Sequence, residues 1–196
     1  RAELAWTCVE FATRLPRRGR FGGRDDTPTS DPVVKAWIAE ALALAEGLYR
    51  ERPDAADQVG LLADALAEAA RLDADTDLAI AEQRIRRALD LRAVAMPSAR
   101  EMSRGIEDRL ALADILLRAG RGDEAVDRAL EAVATAEARL AREPAVRAFA
   151  AELLAALWNS ATIARDAGDH ATAVDCLRRL QAAHPPNVSP SLDLRI

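Results

Sequence analysis

Apolar side chains recur along this chain in steps of three and four residues, a spacing that lays them on one face of an α-helix. After Pro53 one stripe runs through Val59, Leu62, Leu66, Ala69 and Leu72. A polar break at residues 73–77 follows, and Leu78, Ala81, Ile85, Ala88 and Leu89 continue the helical period. After Pro97, Ile106, Leu110, Ala113, Leu116 and Leu117 form a stripe that ends at Gly120, because glycine suits the position just past a helix end. Ala125, Ala129, Ala132 and Val133 open the next stripe. After Pro144, Phe149, Leu153, Leu157, Ala161 and Ala164 run to Gly168, and Ala173, Leu177 and Leu180 run to Pro185.

Proline placement groups these stripes. Pro53, Pro97, Pro144 and Pro185 fall at intervals of 44, 47 and 41 residues. Proline suits the first turn of a helix and breaks a helix interior, so its regular return marks a repeated two-helix unit. The units are 53–96, 97–143 and 144–186. Residues 1–52 read as a fourth, less regular pair. Its stripes are Leu4, Cys8, Phe11 and Leu15, then Val34, Trp37, Ile38, Ala41, Leu44, Ala45 and Leu48. Between them, 16–31 is rich in Gly, Arg, Pro, Thr and Asp and reads as a loop, a long one for a helical pair. The end of the chain has no helical period, so 187–196 is expected to be an extended tail.

Composition narrows the class. Half of the 196 residues are hydrophobic, which excludes a disordered chain, and aromatics are only 4%. Ala and Leu supply most of the apolar side chains, and both rank high in helix propensity. The net charge of −5 argues against a uniform nucleic-acid or membrane-surface face, and no apolar run has the length of a membrane span. Cys8 and Cys176 lie far apart among apolar residues, which predicts two buried thiols in a reducing, cytoplasmic setting. The chain begins at Arg1, already inside a helical pattern, and is expected to be a piece of a longer protein.

These units resemble the tetratricopeptide repeat. That family pairs two antiparallel helices with small residues at their crossing. Its second helix starts at a Gly or turn residue followed five positions later by Ala. Here Gly120 precedes Ala125, Gly168 precedes Ala173, and Thr76 takes the turn place before Ala81. The small residue of the first helix, seven before the turn, is Ala69, Ala113 or Ala161, and three later comes Leu72, Leu116 or, in the last unit, Ala164. The family period is about 34 residues, so the longer spacing here looks like a long-helix variety. The resemblance implies an all-α fold: a tetratricopeptide-like solenoid of about four antiparallel helix pairs, about eight helices, in a right-handed superhelical stack.

It also implies a site. First helices line the concave face of such stacks, where the family commonly holds a peptide or a partner's helix. The run Trp158-Asn159-Ser160-Ala161 resembles the first helix of kinesin-light-chain-like repeats, in which the corresponding Asn grips the ligand backbone. A side-chain amide offers a peptide unit both donor and acceptor. Thr162 and Arg165 share nearby faces of that helix, and Glu107, Asp114 and Arg118 lie on a similar face of the preceding first helix. Ala111 stands where a second Asn would continue a ladder, and these mixed charges do not supply a carboxylate clamp.

Other chemistry is sparse. Arg14, Arg17, Arg18, Arg20 and Arg24 form the one basic run and could touch phosphate or nucleic acid, though Asp25, Asp26 and Asp31 partly offset them. Gly22-Gly23 lacks the strand and the Gly-Lys-Ser or Gly-Lys-Thr of a phosphate loop. His170 and His184 lack metal-ligand spacing, and no nucleophile motif is present, so no metal, cofactor or catalysis is expected. Trp6 and Trp37 at helical spacing read as core rather than as a ligand pocket, whereas Trp158, which adjoins Asn159, is counted with the groove residues. The leading expectation is a non-catalytic scaffold that binds a peptide or partner domain. The alternatives are a regulatory or sensor domain of a larger protein, such as a transcription regulator, and a module that binds a second copy of itself.

Overall fold

A computed structural model describes residues 32–94 and 98–183, together with Glu3 and Thr7. The described residues form seven α-helices and no strand. They are α1 (Pro32–Glu51), α2 (Ala56–Asp73), α3 (Leu78–Val94), α4 (Ala99–Arg118), α5 (Gly122–Arg142), α6 (Arg147–Asp166) and α7 (His170–Ala183). Each stripe read from Val34 to Leu180 lies inside one of these helices. Apart from Thr7, the expected helix over Leu4 to Leu15 lies outside the described residues, Cys8 included, as do the loop 16–31 and the tail 187–196.

Local chemistry sets the helix ends. Gly120 and Gly168 take left-handed φ values of 77° and 85°, which a side chain resists. Each closes its helix with paired reverse bonds: Arg121 N–H donates to the Leu116 carbonyl and Gly120 N–H to Leu117, at 2.9 and 3.0 Å. Asp169 and Gly168 repeat this on Ala164 and Arg165 at 2.8 and 3.0 Å. The starts of α3, α4 and α7 are capped by side chains. The Asp77 carboxylate accepts from the N–H groups of Ala79 and Ile80, Ser98 Oγ from Glu101, and Asp169 from Thr172. Pro32 occupies the first helical position of α1, where its missing N–H costs nothing.

Three- and four-residue turns join α2 to α3, α4 to α5 and α6 to α7, and so short a turn reverses the chain. Each helix packs on the next. Beyond that, α2 also packs on α4 and α4 on α6, whereas α3, α5 and α7 make no backbone-level contact with one another. The alanines at the predicted crossings (Ala69, Ala81, Ala113, Ala125, Ala161 and Ala173) are all buried. Small residues there let the helix axes approach. α2 is buried all round from Gln58 to Ala70, and its Leu61, Leu62, Leu66 and alanines form the centre of the main core. A helix covered on every side must be apolar or small on every side, or else pair its charges.

Trp37 departs from its expected place. It is 39% exposed, while Ile38, Ala41, Ala45 and Leu48 form the buried stripe of α1. One residue is about 100° of helix rotation, enough to carry the indole off the core face.

Candidate functional site

The residues singled out on the last first helix sit together on α6. Trp158, Asn159 and Thr162 are half-buried and Arg165 is exposed. Asn159 Nδ2 donates to the Ala155 carbonyl of its own helix at 2.8 Å, and Thr162 Oγ1 donates to the Trp158 carbonyl at 3.1 Å. Such back-bonds satisfy a polar side chain on its own helix, and an incoming partner would have to replace them. Arg165 directs Nε and Nη2 at Asp166 Oδ1, at 3.0 and 2.8 Å.

The second row lies on α4, which packs beside α6. Glu107 accepts from Arg104 Nη1 at 2.9 Å, and Asp114 is half-buried. Arg118 Nη2 reaches back to Asp75 Oδ1, at 3.1 Å, in the turn before α3. The two rows therefore occupy neighbouring helices, and among the described residues Asn159, Thr162 and Arg165 take their partners from α6 rather than from α4. Arg17, Arg18, Arg20 and Arg24 lie outside the described residues.

The sequence reading missed a buried ionic cluster where α2, α3 and α4 meet. Arg92 of α3 is buried at its centre. Its Nη2 donates to Asp64 Oδ1 of α2 at 2.6 Å, its Nε to Asp108 Oδ2 of α4 at 2.8 Å, and its Nη1 to Glu101 of α4. Asp108 also accepts from Arg71 at 3.1 Å, and Arg71 bonds Glu68 at 2.9 Å. Arg100 closes on the second oxygen of Asp64 at 3.4 Å. Burial opposes the Arg92 charge, but Asp108 and Asp64 outweigh it and hold its pKa above the ordinary guanidinium value. Gly60 makes room for this cluster, since a Cβ there would stand 3.2 Å from Glu101 Oε1.

A second buried arginine repeats the device one unit later. Arg139 of α5 donates to Ser103 of α4 and, at 2.7 Å, to Glu152 of α6, and its guanidinium lies 3.8 Å from the centre of the Phe149 ring. Its Nε is buried without a partner among the described residues. Arg92 and Arg139 each stand five residues before a unit-marking proline, Pro97 and Pro144. Each ties the first helix of its own unit to the first helix of the next. That shared position was the available signal, hidden because arginine on a helix ordinarily reads as solvated.

Among the described residues no three of His, Cys, Asp and Glu are grouped to hold a metal, and no helix is long and apolar enough to cross a membrane. Cys176 is a free, buried thiol, and burial pushes its pKa up, away from the reactive thiolate.

No family model matches the chain, and no curated protein matches it. Among solved structures, the crystal structure of BtubC (BKLC) from P. vanneervenii is similar at 17% identity and a TM-score of 0.35, covering 100% of this chain and 96% of that one. A likeness at that score carries no argument about fold or function.

Proposed function

We propose that this chain is a tetratricopeptide-like stack of the long-helix variety that acts without catalysis, binding a peptide or a partner domain on a concave face lined by α4 and α6. One observation carries the reading. First helices pack on one another while second helices stand apart. A stack that is tight along one side and open along the other bends toward the tight side, so the first helices line the inside of the bend. Asn159, Trp158, Thr162, Arg165, Glu107, Asp114 and Arg118 lie on α4 and α6 and form the contact surface in this reading. The amide of Asn159 would exchange its bond to Ala155 for a backbone group of the ligand.

A photoreactive benzoylphenylalanine placed at 159 or 114 tests this in an extract of the native host. It is expected to cross-link a discrete partner that the same residue at Asp127, exposed on α5, does not. Asn159→Ala combined with Arg165→Ala is then expected to weaken the captured complex about tenfold. Equal cross-linking from both helices, or unchanged affinity of the double variant, would show that the inner face is not the site.

A further inference from the structure

Successive second helices share a register, aligned on the crossing alanines Ala81, Ala125 and Ala173. Four residues after each stand Ile85, Ala129 and Leu177. Ile85 is 0% exposed and Ala129 1%, but Leu177 is 41% exposed. One residue after the alanine, Val126 is buried while Val174 is 45% exposed. In α5 the following pair covers this register. Ser160 of α6 donates to the Ala129 carbonyl at 3.0 Å, and Val126 packs with Ala164 and Ala173. The last described helix thus carries the same stacking face with no helix over it among the described residues.

We infer that a second copy of this chain covers that face, α7 packing antiparallel on α7 across a two-fold axis near Leu177. The charges beside the stripe select this occupant. Among the described residues Asp175 pairs with Arg179 at 3.6 Å and with no other cation, and Arg179 is already committed to Glu137. Arg178 is exposed and has no ion pair among the described residues. The stripe is therefore flanked by one weakly held carboxylate and one unpaired guanidinium, three residues apart on the same rim. A reversed copy sets each opposite the other, twice by symmetry. The same register brings Ala171 opposite Ala182, so the helix ends can approach closely. The contact is one helix wide, in the range of weak, concentration-dependent dimers. It rests on the register of α7 and is independent of the proposed groove on α4 and α6.

Sedimentation equilibrium of the full chain, from low micromolar to several hundred micromolar, is expected to show a monomer–dimer equilibrium. Leu177→Glu should abolish it. Asp175→Arg or Arg178→Asp alone should weaken it about tenfold, since each sets like charges opposite one another. Mixed together, those two single variants should form a heterodimer, because one rim is then all basic and the other all acidic. Circular dichroism of each variant checks that the exposed substitutions leave the helices intact. Asn159→Ala should leave the dimer unchanged. A wild-type chain that stays monomeric throughout, or charge reversals that neither weaken the homodimer nor create the heterodimer, would overturn the inference.

Discussion

Two glycines show how far backbone conformation outweighs surroundings. Gly47 lies inside α1 and Gly120 just past the end of α4, and a Cβ added at either would meet nothing within 4 Å. Space alone would make both substitutions equal. Gly47 has ordinary helical dihedrals, so Gly47→Ala removes unfolded-state freedom and should stabilise by about 1 kcal/mol. Gly120 holds a φ of 77°, so Gly120→Ala should destabilise by about 1 kcal/mol or more. Urea unfolding of the two variants checks the opposite signs, and a shift of the same sign in both would mean that the φ of Gly120 is not what its position requires. Ser160 makes a related point. Its hydroxyl, buried on the Ala129 carbonyl, joins α6 to α5.

At the level of the element, the helices themselves were legible because their apolar period and their punctuation agree. Gly120 and Gly168 end helices where glycine was expected to, and Asp77, Ser98 and Asp169 begin them. What period cannot reveal is how many sides of a helix are covered. α2 is buried all round, so Asp64 and Glu68, which sit where a one-sided helix would be wet, became internal charges that needed partners. The same blindness runs outward at Trp37, one position off the buried stripe of α1. The candidate residues of α4 and α6 were legible as a shared helical face, but not in their bonding, because the back-bond from Asn159 to Ala155 depends on a side-chain rotamer that spacing does not specify.

Caps also carry a pH signature. The Asp169 carboxyl is held below its usual value of 3.8 chiefly by its hydrogen bonds from Thr172. A folded pKa below the unfolded one contributes stability that is fully present above the unfolded value and is lost as pH falls through the folded one. Asn can cap in the same geometry without the charge, so Asp169→Asn isolates that contribution. The melting temperature of wild type should exceed that of Asp169→Asn by a constant margin from pH 8 to about 5, and the margin should close below about pH 4. A margin that persisted or grew in acid would place the stabilisation elsewhere.

At the scale of the whole described molecule, α1, α3, α5 and α7, which make no backbone-level contact with one another, are linked in succession by long side chains on these helices or the turn before α5. Glu46 pairs with Arg87 at 2.8 Å, Glu82 with Arg121 at 2.8 Å, and Glu137 with Arg179. Exposed pairs of this kind contribute little each. The junctions depend more on the buried arginines, which tie the first helices together from within. Arg92 faces Asp64 and Asp108, both buried, and Arg92→Met would leave two carboxylates in the core with only peripheral cations, a loss of about 3–5 kcal/mol. Arg139 faces Glu152, which keeps a quarter of its side-chain surface in solvent, and a serine. Water can take over that carboxylate, and the unpartnered Nε of Arg139 means that less is lost with the guanidinium. Arg139→Met should therefore cost clearly less than Arg92→Met in urea unfolding. If the order were reversed, the cost would be following the packing of the arginine over Phe149 rather than the burial of the carboxylates, and the junction between the first two described pairs would owe its geometry to apolar contact alone.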